Sequence, residues 1–244
     1  MKEKAYTTPF TGGFVFFPER DNTHDLNFVR LIFFITLKYK DEDKHMVIGL
    51  AGVAGCGKDT FFDVLGESMS VKRVSLADAL KQEANEWTLK HYGINAVTCS
   101  REDKEKIRPF LVLHAGMKRD TTNGRHWIDL VSRKIAINNS DYTTVITDIR
   151  FNEYENDEVS WLKNELNGKL IHIRQWVGRP DPNEGVLERI YKTPANSVEA
   201  MNDPKLQEAA DYRIDIRRVE GTEEDVKAAI RPKVEKFIKW INNA

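Results

Sequence analysis

The hydrophobic pattern alternates between short apolar runs and longer amphipathic stretches. Met46-Val-Ile-Gly-Leu-Ala51, Val71–Leu76, Thr143-Thr-Val-Ile-Thr147, Lys169-Leu-Ile-His-Ile-Arg174 and Tyr212–Ile216 are short and rich in aliphatic and β-branched residues. Runs of that length and composition predict strands. Helical spacing fills the gaps. It covers Asp59–Met69, Ala77–Tyr92, Asp103–Ala115 with Pro109 inside it, and His126–Asn138, where Trp127, Leu130, Val131, Ile135 and Ile137 lie on or near one face. Asn152–Leu166 reads as a helix stopped by Gly168, and Gly221-Thr-Glu-Glu opens a last helix to about Asn242 with Thr222 as its N-cap. Strands alternating with helices of this length predict βαβ units. The expected fold is α/β, in three layers, with a mostly parallel sheet flanked by helices.

Two stretches break the alternation. Residues 1–45 carry a Gly12-Gly13 turn signal, the apolar run Phe14–Phe17 stopped by Pro18, a second strand-like run Phe28–Tyr39 and a charged cluster ending at Lys44. This is an N-terminal extension, either a β-hairpin or disordered, ahead of a domain spanning 46–244. Its most apolar part, Leu31–Leu37, falls far short of the roughly 20 residues a membrane helix needs. The second break, Gly178–Asp203, is rich in proline, asparagine and charge, and predicts a lid near 175–203.

Composition narrows the class. Of 244 residues, 41% are hydrophobic and 31% charged, with 37 Lys+Arg against 38 Asp+Glu, a net charge of −1. That suits a folded chain and argues against a nucleic-acid binder, which is usually net basic. The only cysteines are Cys56 and Cys99. Neither a disulfide framework nor a structural zinc site is expected, and two free thiols suit a reducing cytoplasm. The chain is read as a soluble cytoplasmic protein without a membrane partner, either monomer or homodimer.

The chemistry is concentrated in Gly52-Val-Ala-Gly55-Cys56-Gly57-Lys58-Asp59-Thr60, which follows a strand and precedes a helix. Small residues let backbone N–H groups wrap an anion; the helix N-terminus adds a positive dipole, and Lys58 a full charge. The usual Ser or Thr after the lysine is replaced by Asp59, with Thr60 next. Either Asp59 meets a magnesium ion, directly or through water, or Thr60 serves the phosphates. The chain lacks an Asn-Lys-x-Asp signature, and no apolar strand ends in Asp-Glu, which disfavours a GTPase or a hydrolytic ATPase. Instead the strand Thr143–Thr147 runs into Asp148-Ile-Arg150. At the carboxyl edge of a parallel sheet, Asp148 can hold magnesium through water and Arg150 can clamp phosphate. Further arginines stand near element ends: Arg108, Arg119, Arg125, Arg174 and Arg179, with Lys118 beside Arg119. Phosphoryl transfer needs such charge neutralisation from several directions. Trp87, Tyr92, Phe110 and Trp127 suit core packing better than base stacking.

These residues resemble the bacteriophage deoxynucleoside monophosphate kinases. The likeness rests on Gly-Lys-Asp-Thr at 57–60, Leu76-Ala-Asp-Ala-Leu-Lys81, Arg108-Pro-Phe-Leu-Val-Leu-His-Ala-Gly116, Val145-Ile-Thr-Asp-Ile-Arg-Phe-Asn-Glu153 and Asn196-Ser-Val-Glu199, and runs from about Met46 to the C-terminus. It implies a P-loop kinase fold and transfer of the γ-phosphate of ATP, with Mg²⁺, to a deoxynucleoside 5′-monophosphate. It implies that Gly52, Gly55, Cys56, Gly57, Lys58, Asp59 and Thr60 hold the ATP phosphates. Asp78 and Lys81 would border the acceptor, Arg108 and Arg150 would bind its phosphate, and Arg174 or Arg179 would come from the lid. Two other readings share the loop. One is a kinase of another phosphorylated metabolite, of the phosphomevalonate or dephospho-coenzyme A type; the other is a non-catalytic nucleotide-binding protein.

Overall fold

The computed structural model describes residues 4–7, 14–17, 46–136, 142–180 and 187–243, without the side chains of the first two segments or of 179, 180 and 187. The expected strand within Phe28–Tyr39 and the Gly12-Gly13 turn lie outside the described residues, as does the end of the helix expected to reach Asn138. The chain divides into two compact units, Met1–Lys44 and His45–Ala244. In the first, strands β1 (Lys4–Thr7) and β2 (Phe14–Phe17) pair antiparallel.

The second unit runs β3 (Val47–Ala51), α1 (Lys58–Ser68), β4 (Val71–Val74), α2 (Leu76–Tyr92), α3 (Arg101–Thr121), α4 (Arg125–Ala136) and β5 (Thr143–Ile146). It continues with α5 (Glu158–Ser160) running into a π-helical turn at Trp161–Glu165, β6 (Lys169–Pro180), β7 (Leu187–Tyr191), α6 (Ser197–Ala209), β8 (Tyr212–Arg217) and α7 (Glu223–Ile241). The six-stranded sheet has the order β4-β5-β3-β6-β7, with β8 also pairing β6. Within this sheet every described pairing is parallel except β6–β7, which is antiparallel.

Period-two alternation sends β3 to both faces. Ile48 and Leu50 pack with α1 and α7 through Phe61, Val64, Leu65, Val234 and Phe237. Val47 and Ala51 face the other layer, with Trp127, Ile128 and Val131 of α4, Trp161 and Leu162 of the π-helical turn, and Leu206 of α6. This is the three-layer α/β arrangement expected: a mostly parallel sheet flanked by helices. A smaller cluster of Ala84, Ala96, Ile107 and Leu111 joins α2 to α3. Because β3, β5 and β6 run parallel, their carboxyl ends share one edge, where open α/β sheets place ligands.

Three expectations change. The excursion after Gly178 is ordered where it is described: β6 continues to Pro180, β7 pairs back onto it, and α6 starts inside the segment at the Asn196 N-cap. The helix expected over Asn152–Leu166 starts only at Glu158. The backbone N–H groups of Arg150 and Phe151 donate to the Glu158 carboxylate and that of Glu153 to Asp157, so side chains take donors that would otherwise face water. Finally, α3 runs six residues past Ala115, to Thr121, where Arg119 inserts into the carboxylates that follow β5.

Candidate functional site

The glycine loop crosses from the end of β3 to the start of α1. Gly52 has φ +130°, and a Cβ there would lie 2.2 Å from the Ile173 carbonyl oxygen, so only glycine passes β6 this closely. Gly57, at φ +103°, is the N-cap of α1 and offers no side chain to its first N–H groups. Uncapped N–H groups at a helix start are the donors that suit an anion. Lys58 Nζ folds back onto the loop carbonyls of Gly52 (2.6 Å) and Val53 (3.0 Å). Beneath it Cys56 is buried, its Sγ 3.8 Å from Nζ. Burial pushes that thiol up against the pull of the Lys58 charge. Asp59 is exposed in the first turn of α1, and Thr60 is half-buried.

Glu199, in the first turn of α6, leans over the mouth of the loop. Its carboxylate accepts the Ala54 backbone N–H at 3.2 Å and that of Ala195 at 2.8 Å. Arg150 Nη1 lies 4.0 Å from the same carboxylate, with the Arg150 side chain about half exposed. Lys192, directly after β7, also rests on the loop: a Cβ on Gly55 would lie 3.3 Å from Lys192 Cε and 3.5 Å from its Nζ. The structure thus brings together the glycine loop, Lys58, Arg150, Lys192 and Glu199. The Arg150 backbone is fixed from below, its N–H reaching Glu158 Oε2 at 2.6 Å.

The remaining candidates are held elsewhere. Asp148 is buried and accepts from the Ser75 hydroxyl (2.8 Å) and the N–H groups of Leu76 (2.9 Å) and Ala77 (2.8 Å). The carboxylate expected to hold hydrated magnesium is therefore committed to the start of α2. Asp78 sits one turn into α2, between Lys81 (2.7 Å) and Arg73 (2.8 Å). Burial would raise its carboxyl, but those two cations hold it below the usual range. Arg108 is exposed on α3 and pairs with Glu105 through two hydrogen bonds of 2.7 and 2.6 Å. Arg174 forks onto Asp215 at 2.8 and 3.0 Å and lies over the Tyr191 ring, so it braces the sheet. The Arg179 side chain lies outside the described residues.

Arg119 is buried among the carboxylates of Asp157, Glu158 and Glu153, with its guanidinium 3.6 Å over the Phe151 ring. Burial would raise Asp157, but Arg119 and backbone donors hold it below the carboxylate range. Burial pushes Glu158 up to about 8, against the Arg150 N–H and the Arg119 charge. Arg125 pairs with Asp129 and Glu165, and Lys118 with Glu83. Trp127 is core, as expected; Trp87 and Tyr92 are not, both being exposed at the end of α2, where Trp87 stacks on the partly buried Phe110 at 4.0 Å.

Sequence reasoning did not single out Glu199, Lys192 or Glu158 as site residues. Glu199 had a signal: Asn196 followed three residues later by Glu is the signature of a helix start. Its side chain caps the preceding turn and reaches the loop. Lys192 and Glu158 carry no signal, because only the folded β6–β7 hairpin and the Arg119 cluster bring them in.

No family model and no curated protein matches the sequence. Among solved structures the chain is similar to the dephospho-CoA kinase from Campylobacter jejuni, with 14% identity and a TM-score of 0.42, over 80% of this chain and 96% of that one. Among the described residues no helix is long and apolar enough to cross a membrane, and no His/Cys/Asp/Glu group is arranged to hold a metal ion.

Proposed function

We propose that this protein transfers the γ-phosphoryl group of ATP to a deoxynucleoside 5′-monophosphate, giving ADP and the diphosphate. One observation carries the reading. Glu199 joins the mouth of an anion-binding loop, through the Ala54 N–H, to an arginine at the carboxyl edge of the sheet. A loop for one phosphate chain and an arginine poised beside it suit two phosphorylated substrates meeting end to end.

The residues present fit a triphosphate. The uncapped N-terminus of α1 and the left-handed glycines offer N–H donors, and Lys58 is held by two carbonyls that it can leave for phosphate oxygens. ATP would supply the phosphoryl group, and a magnesium ion would be held by Asp59, directly or through water, or Thr60 would serve the phosphates, the metal adding charge neutralisation. Lys58 follows the moving charge as a point cation. Arg150 steadies the acceptor phosphate, its backbone pinned to Glu158 while its side chain is half exposed with one long ion pair. Asp148 anchors α2, and so fixes Asp78 and Lys81 as the border of the acceptor pocket. Lys192 adds a second ammonium from above the loop.

The test is a panel of acceptors with ATP, scored for ADP release: dTMP, dGMP, dCMP and dAMP against phosphomevalonate and dephospho-coenzyme A. Acceptor-dependent ADP with a deoxynucleotide is expected. Activity only with a non-nucleotide acceptor moves the reading to that substrate class, and no acceptor-dependent ADP removes the kinase reading.

A further inference from the structure

The solvent face of α3 is apolar where an amphipathic helix should be polar. Val112, Leu113 and Met117 are 66%, 63% and 60% exposed. At about 100° per residue, Lys106, Pro109, Leu113, Gly116, Met117 and Asp120 fall in one sector about 100° wide. That sector lies directly opposite Ile107 and Leu111, the residues that pack on α2. A Cβ on Gly116 would meet nothing within 4 Å, so the middle of the stripe is an open notch. Contiguous exposed apolar surface of this kind marks an interaction site.

The order of residues says what fits it. Rotate a second α3 antiparallel about a point midway between Leu113 and Gly116. Leu113 then lies opposite Gly116, and Pro109 opposite Asp120. A large side chain meets the notch on both sides of the axis. One turn from Pro109, Lys106 comes beside the Asp120 carboxylate of the other copy; both are exposed, Lys106 resting on Asp103 at 2.8 Å and Asp120 accepting from the Tyr154 hydroxyl at 3.4 Å within their own chain. Size and charge therefore match when the surface is turned onto itself, the requirement of an isologous two-fold interface. We propose that two copies of this chain associate through antiparallel α3 helices, with Leu113 seated on Gly116 and Lys106 paired with Asp120 across the axis.

The full chain is tested by sedimentation equilibrium and light scattering at tens of micromolar. The wild type is expected at twice the 28.2 kDa chain mass. Leu113→Glu is expected at the single-chain mass with unchanged circular dichroism, since Leu113 touches little of its own fold. Lys106→Glu and Asp120→Lys each place like charges across the axis and are expected to raise the dissociation constant about tenfold. The double variant restores the pairing with reversed signs and is expected to recover the dimer, which separates a lost contact from a lost fold. A wild type at single-chain mass overturns the proposal. So does a dimer indifferent to Leu113→Glu, which would place association elsewhere, residues 1–45 included. Failure of the double variant to recover what the single variants lose overturns the antiparallel register.

Discussion

Arg119 and Arg150 stand on either side of the turn that follows β5, and they are held in opposite ways. Arg119 is 5% exposed, faces three carboxylates and lies over the Phe151 ring. Arg150 has a side chain that is 52% exposed and one loose ion pair at 4.0 Å. A charge taken out of water must be fully paired, and once paired it is spent on holding the fold. A charge left half in water with an imperfect partner costs little to redirect toward a ligand. The same contrast separates Asp148, saturated by three donors, from Glu199, which bridges the loop mouth. Residue type alone does not distinguish a structural arginine from a functional one; the completeness of its partners does.

The contrast breaks most visibly at Arg119. Arg119→Met should strand Asp157 and Glu158 without their cation and cost about 3–5 kcal/mol, read from urea unfolding. A loss below 1 kcal/mol would mean that the carboxylates find other partners and that the cluster is not a structural lock. Arg150→Ala should leave the unfolding midpoint within experimental scatter. It should lower turnover with the acceptor by about 10–100-fold while ATP binding is retained, because a charged hydrogen bond to phosphate is lost. Weakened ATP binding with normal acceptor use would move Arg150 to the donor side.

A smaller effect tests the electrostatics beneath Arg150. Burial raises the Glu158 carboxyl from 4.5 to about 8 in the folded protein. The folded state then binds a proton that the unfolded state releases. Stability should fall as pH rises from about 4.5 to 8, and Glu158→Gln should flatten that slope. Asp157 has the opposite sign: held low by Arg119, its contribution is lost as pH falls below the usual carboxylate range. A slope unchanged in Glu158→Gln would place the titration on another group.

Much of this was legible in the sequence. The glycine loop, the strands that follow period and composition, the Thr222 N-cap and the three-layer arrangement all follow from local signals. What escaped depends on partners distant in sequence. Asp148 reads as a metal ligand by position, but its carboxylate turns to a helix start 72 residues earlier at Leu76. Arg174 reads as a lid cation until Asp215 arrives from β8 on the next strand. The excursion after Gly178 looks like a loop because its strand is polar and its helix weakly amphipathic; pairing with the extended end of β6 makes it a hairpin. Glu199 was visible only within the Asn196-Ser-Val-Glu199 segment that carries the resemblance, and its reach to Ala54 was not.

The most direct test follows the phosphoryl group itself. Enzyme is mixed with ATP labelled at the γ-position and a pool of deoxynucleoside monophosphates in a single turnover, beside Lys58→Ala. Label should appear in a deoxynucleoside diphosphate with the wild type. With Lys58→Ala it should appear at least about 100-fold more slowly, since the charge placed on phosphate is lost, while the unfolding midpoint moves only by the loss of the two hydrogen bonds to the Gly52 and Val53 carbonyls. Label released as inorganic phosphate, or transfer at equal rates by both proteins, would contradict the account.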